Sequence, residues 1–132
     1  MKLKETGEER GAYVALSHRW GAGTALCRTN VSNYEERQTS IDTKTLPQVF
    51  QDVVHFSRLL GIPYIWIDSL CIIQDGDHGE DWKKEAIRMG QYYQYSLVTI
   101  AITTSPDNSH GCFPARPPAL TGKLARLPYR NA

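Results

Sequence analysis

The chain has 132 residues, 41% hydrophobic and 22% charged, which gives one folded domain enough apolar material for a core and is too apolar for a disordered tail. Its 15 basic and 14 acidic side chains leave a net charge of +1, excluding the strong positive field that gathers nucleic acid or anionic membrane. Cys27, Cys71 and Cys112 are odd in number and widely spaced, which argues against a disulfide framework and fits a reducing, cytoplasmic setting.

In chain order, the first ten residues hold no apolar signal core, and no apolar run approaches the roughly 20 residues that span a bilayer. Ala12 to Ser17 is short, apolar and β-prone, and it stops at the polar, glycine-bearing segment Ser17-His18-Arg19-Trp20-Gly21, which reads as a loop. Residues 28–44 are polar throughout and predict a surface connection with a short helix at most. Thr45 and Gln48 form a T-x-x-Q capping box, and Leu46, Val49, Phe50, Val53, Phe56 and Leu60 recur at helical spacing up to Gly61, so an amphipathic helix of about four turns is expected. Tyr64-Ile65-Trp66-Ile67-Asp68 is then a continuous apolar strand, expected to be covered on both faces and to end in a carboxylate.

Residues 69–80 begin apolar and become a loop. From Asp81 a second helix is expected, with Trp82, Ala86, Met89 and Tyr93 on its inner face, followed by a buried strand over Leu97 to Ile102 that Thr103 to Asn108 closes. The Pro-rich stretch 113–118 reads as an exit from the domain. Alternating strands and helices predict an α/β fold of three layers, a mostly parallel sheet with helices on both faces. Ligand sites in such sheets lie beyond the carboxyl ends of the strands. Ser17 to Gly21, Asp68 to Cys71 and Thr103 to Ser105 all follow strands and are placed to converge there.

Three blocks occur in order: Tyr13-Val14-Ala15-Leu16-Ser17-His18-Arg19-Trp20-Gly21; Leu46-Pro47 through Gly61-Ile62-Pro63-Tyr64-Ile65-Trp66-Ile67-Asp68-Ser69-Leu70-Cys71 to Asp75; and Asp81-Trp82-Lys83-Lys84-Glu85-Ala86 running on to Ile102. Together they resemble the heterokaryon incompatibility (HET) domain of filamentous fungi, over about residues 12–118, with 1–11 an N-terminal extension and 119–132 a tail or the start of a further region. The resemblance implies a cytoplasmic effector of non-self recognition and regulated cell death. It also implies a distant likeness to TIR domains, whose sheet is flavodoxin-like and of which some cleave NAD with a helix-borne glutamate while others only assemble complexes. Three strands are legible here where such a sheet has about five, so the fold is expected to be incomplete or to hide a strand. TIR enzymes commonly carry Trp-x-x-x-Glu, whereas Trp82 and Glu85 are separated by two residues, and the family usually has an aromatic residue where His18 stands.

Glu85 carries the catalytic reading, with NAD as the substrate and no cofactor required. It lies at the edge of its helix's apolar face, where a carboxylate is partly desolvated and can stabilise a developing cation; equally, it can pair with Arg88 at i+3 while Asp81 serves the helix N-terminus. Ser17, Arg19, Trp20 and Gly21 form the ligand-binding reading: Arg can grip phosphate, the indole can stack on a ring, and Gly permits close approach. The alternative is a structural turn with Trp20 in the core. Asp68 either orients a ribose hydroxyl or caps the following turn. Cys71 as a nucleophile, with His18 or His78 as its base, fits residue types alone. No Cys/His spacing matches a zinc site, so no metal is expected. The partner is then a nucleotide, or, in the non-enzymatic reading, a second copy of the domain or another cell-death protein.

Overall fold

The computed structural model describes residues 1–7, 9–21, 27–102 and 111–112. Strand β1 spans Tyr13–Ser17, helix α1 Tyr34–Thr39, helix α2 Gln48–Leu59, strand β2 Tyr64–Ile67, the one-turn helix α3 Asp68–Cys71, helix α4 Glu80–Gln94 and strand β3 Val98–Ala101, with 3-10 turns at Val31–Asn33 and Thr43–Thr45. The three strands are parallel in the order β2-β1-β3. That order and the helical crossovers make an α/β fold with the arrangement of the first three strands of a flavodoxin-like sheet.

Register decides which side chains share a face. Tyr13 pairs with Tyr64, Ala15 with Trp66 and Thr99, and Ser17 with Ala101; the alternate residues Val14, Leu16, Ile65, Ile67, Val98 and Ile100 occupy the other side. The second face is the core. Val14, Leu16 and Ile67 meet Val49, Phe50 and Val53 of α2, with Ile41, Leu46, Ile62 and Leu70 closing the cluster. Burying side chains of this size stabilises by about 1.5–3 kcal/mol each. The first face takes α4 through rings: Tyr92 stacks on Trp66 (5.0 Å, 27°), Tyr93 meets the same indole edge-on (5.3 Å, 86°), and the Tyr13 hydroxyl donates to the Tyr92 carbonyl (2.6 Å).

Several local expectations are corrected. The expected capping box is absent: α2 starts after Pro47 with no side-chain cap, and the Thr45 hydroxyl donates instead to the Asp42 carbonyl (2.8 Å) within the preceding 3-10 turn. Proline at this boundary already removes one donor that a cap would serve. The stop at Gly61 holds, since its φ of +68° is the left-handed conformation that a helix C-terminus favours, and its N–H donates to the Arg58 carbonyl. Leu60, expected on the buried stripe, is exposed.

The strand over 97–102 is not buried on both faces. It lies at the edge of the sheet, Thr99 and Ala101 are exposed, and Leu97 is exposed too. The central strand is β1, whose Val14, Ala15 and Leu16 are fully buried. Residues 111–112 return to α2, where the Asp52 carboxylate accepts the Cys112 N–H (2.7 Å) and the Gln48 amide (2.8 Å). The Pro-rich stretch 113–118 and the tail 119–132 lie outside the described residues.

Candidate functional site

β1 and β2 run side by side and end at the same edge of the sheet, so the segments that leave their carboxyl ends are brought together. Trp20 and Asp68, 48 residues apart, meet there: the indole Nε1–H donates to Asp68 Oδ2 (2.8 Å). The other carboxylate oxygen, Oδ1, accepts the N–H of Ser69 (2.7 Å) and fastens the first turn of α3. Asp68 therefore bonds the adjacent backbone and holds Trp20 at the same time, and its side chain is 17% exposed. Trp20 is 42% exposed, so it is not a core residue; one edge is anchored while much of its surface stays open to a planar ligand.

His18 points the other way from Ser17. Its ring meets the Phe50 ring edge-on (5.0 Å, 88°), its side chain is only 2% exposed, and Nδ1 stands 4.0 Å from Asp68 Oδ1. Among the described residues neither ring nitrogen has a hydrogen-bond partner, and the gap to Asp68 is too long for one. Burial pushes the imidazole pKa below its ordinary value, and the nearby Asp68 charge opposes that more weakly. The imidazole is consequently held neutral beside a carboxylate, a feature the residue pattern Ser-His-Arg-Trp-Gly does not reveal because it depends on Phe50 lying opposite.

Ser17 closes β1 on the α4 side, where its hydroxyl is within hydrogen-bonding reach of the Tyr93 phenol; burial and the Asp68 charge both raise that phenol's pKa. Arg19 is exposed and Gly21 half-buried. The structure thus gathers Ser17, Trp20 and Asp68, with His18 and Tyr93 added to them. The sequence places Tyr93 only on the inner face of its helix; its chemical position becomes visible once α4 is seen to lie over β1 and β2. Residues 103–105, expected at the same edge, lie outside the described residues.

Glu85 sits one layer away, on α4. Its side chain is 14% exposed, and Oε1 faces the Lys84 ammonium (3.4 Å) and the Arg88 guanidinium (3.8 Å). Its Oε2 accepts the Tyr92 hydroxyl, seven residues along the helix. Tyr92 and Tyr93 are consecutive and both pack on Trp66, so a short aromatic bridge connects the Glu85 carboxylate to the Ser17–Asp68 group. No direct contact joins Glu85 to Trp20 or Asp68 among the described residues. Asp81 bonds the preceding loop: its Oδ2 accepts the Ile73 N–H (2.9 Å), while Asp77 receives the N–H groups of Gly79 (2.9 Å) and Asp81 (2.8 Å) at the start of α4. Backbone hydrogen bonding, the Asp81 N–H foremost, holds the Asp77 carboxyl below its ordinary pKa. Trp82, expected on the inner face, is 49% exposed, because the tyrosines and not the N-terminal aromatic of α4 make the contact with the sheet.

Cys71 does not have the environment of a nucleophile. The Ile67 N–H donates to its sulfur (3.5 Å), the thiol faces the Ile65 carbonyl (3.8 Å), and burial pushes its pKa up to about 11. A thiolate is disfavoured there by several orders of magnitude at neutral pH. His78 is exposed on the loop before α4. Among the described residues no group of three or more His, Cys, Asp or Glu side chains is placed to hold a metal ion, and no helix is long and apolar enough to cross a membrane. A separate hollow of about 380 Å³ is lined by Asn30, Val31, Ser32, Asp75 and Gly76. It is open, and it lacks the aromatic and buried titratable groups found at the strand ends, which therefore make the stronger chemical site.

A protein-family model described as Heterokaryon incompatibility protein (HET) matches residues 13–127. Comparison with curated proteins gives no match, and neither does comparison with solved structures.

Proposed function

The chain belongs to the heterokaryon incompatibility family, and from that membership and the geometry at the strand ends we propose that it is a cytoplasmic, TIR-like effector of cell death in non-self recognition that binds and cleaves NAD. The observation that carries the reading is the anchored, half-open indole of Trp20 on Asp68, at the carboxyl edge of a parallel sheet. Such edges are where α/β sheets take nucleotides. Trp20 offers a stacking surface, exposed Arg19 next to it a guanidinium for phosphate, and Ser17 a hydroxyl at the strand end.

In this reading Glu85 stabilises the positive charge that develops on the ribosyl C1′ as the bond to nicotinamide breaks. Nicotinamide leaves with the bonding electron pair, water adds to C1′, and the water's surplus proton is released. The near-burial of Glu85 supports this, since a carboxylate shielded from solvent acts more strongly on an adjacent cation. Arg88 and Lys84 offset that charge, so productive binding requires the substrate to displace part of their screening. The test is release of nicotinamide from NAD by the purified chain, alone and after induced oligomerisation. Release that Glu85→Ala abolishes supports the reading; no release above that variant contradicts it.

A second reading, a non-enzymatic module that self-associates or recruits another cell-death protein, is favoured by Trp82 and Ile87, both exposed on α4. Lys83 and Lys84 stand beside Trp82, and charge reversal at either should then abolish killing in a cell assay while Glu85→Gln leaves it intact.

A further inference from the structure

We propose that Tyr92 is a positioning residue that aims the Glu85 carboxylate for catalysis. The inference rests on the NAD-cleavage reading of Glu85 and adds a residue that neither the motif pattern nor the family match points to. Glu85 is a long, flexible side chain with two cations beside Oε1, Lys84 at 3.4 Å and Arg88 at 3.8 Å. Both cations are more than half exposed, so neither fixes a direction, because exposed long side chains hold their geometry weakly. Among the described residues, the one partner of Glu85 that is itself fixed is the Tyr92 hydroxyl, which donates to Oε2.

Tyr92 is fixed by packing. Its ring is stacked on Trp66 of β2 and its backbone carbonyl accepts the Tyr13 hydroxyl of β1, so two strands hold the residue that holds Glu85. The side chain runs back towards the start of its helix, the direction helical aromatics favour, which is how a residue seven positions later reaches Glu85. A donor locked onto Oε2 restricts rotation of the carboxylate, so that Oε1, the oxygen beside Lys84 and Arg88, keeps one direction. Preorganisation of this kind acts on the transition state more than on binding.

The phenol stays protonated through the ordinary assay range, since burial first and the hydrogen bond to Glu85 second push its pKa up to about 12. The donor is therefore constant and does not appear in a normal pH profile. Replacing Tyr92 by a ring-fluorinated tyrosine, which is similar in size and a stronger acid, brings loss of the donor into the accessible range.

The experiment measures nicotinamide release by the full chain and by Glu85→Gln, Tyr92→Phe and the fluorotyrosine form, with circular dichroism and thermal melting on each. The expected result is that Glu85→Gln is inactive, that Tyr92→Phe keeps its fold and KM but loses roughly tenfold or more in kcat, and that the fluorotyrosine form acquires a new fall in kcat on the alkaline side. Tyr92→Phe with unchanged kcat, or with kcat and KM altered only in step with a lost fold while the fluorotyrosine form keeps the parent pH profile, overturns the role of Tyr92 and leaves Glu85 catalytic. If Glu85→Gln is as active as the parent chain, or the parent chain releases no nicotinamide, the NAD-cleavage reading itself fails and the role of Tyr92 falls with it; the Glu85→Gln arm tells the two failures apart.

Discussion

Replacing His18 by Phe should make the protein more stable and less sensitive to acid. The imidazole is 2% exposed and neither nitrogen is paired, and a buried donor or acceptor left without a partner costs about 1–3 kcal/mol. A phenyl ring keeps the edge contact with Phe50 and carries no polar atom, but is one ring atom larger, which returns about 1 kcal/mol as crowding. From the middle of that range the net gain is about 1 kcal/mol, or about 4 °C in Tm for a chain of this length.

The pH dependence has a definite sign. Burial lowers the folded pKa of His18, so the unfolded chain binds the proton more readily. The stability this group supplies is full above about pH 6.5, the unfolded value, and is lost as pH falls through the lower folded value. Each tenfold difference in proton affinity between the two states corresponds to about 1.4 kcal/mol between those limits. Asp68 is the only charged group facing the ring among the described residues, and its attraction for the protonated form works in the opposite, smaller sense. Urea unfolding of parent and His18→Phe at a series of pH values between about 4.5 and 7.5 measures both effects. A variant that is less stable than the parent at the upper end of that range, or that loses stability on acidification as steeply, would refute the argument.

Phe50→Ala removes a ring with no exposed surface at the centre of the core and should cost about 3–5 kcal/mol in urea unfolding. Asp52→Ala releases the Cys112 N–H and the Gln48 amide; hydrogen bonds to a charged group contribute about 1.5–3 kcal/mol, and hydrogen exchange should show the Cys112 amide losing protection. Cys71, with its thiol pKa pushed up to about 11, should react with a thiol reagent at neutral pH far more slowly than an unperturbed thiol, and Cys71→Ala should retain whatever activity the parent chain has.

The layer architecture was legible because it depends on periodicity. The apolar run at 64–67, the stripe Val49, Phe50, Val53 and the turn at Gly61 each fix an element with little help from the rest of the chain. The burial of individual elements was less legible. Whether the strand at 98–101 lies in the middle or at the edge depends on its neighbours, and its valine and isoleucine look the same in both places. Trp82 misled for a related reason: its spacing to Met89 and Tyr93 fits an inner face, but the aromatic contact with Trp66 is made about three turns later.

At the strand ends, residue types identified Trp20 and Asp68 singly, and only the pairing of β1 with β2 joined them. The alternatives for Asp68 were ribose partner or turn cap; its carboxylate accepts the N–H of the adjacent Ser69, while the turn itself carries no side-chain cap. Its hold on Trp20 was in neither alternative. Tyr92 carried no signal, since it stands outside the expected inner stripe of Trp82, Ala86, Met89 and Tyr93 and its hydroxyl partner lies two turns away.

The most direct measurement of the central claim is titration of isotope-labelled protein with NAD, followed by the amide and indole resonances. A site at the strand ends predicts saturable shifts at Ser17, Arg19, the Trp20 indole N–H, Ser69 and Tyr93, with Asn30 to Ser32 and Asp75 unmoved. Absence of shifts at millimolar NAD, or shifts confined to the hollow at Asn30 to Ser32 and Asp75, would contradict it.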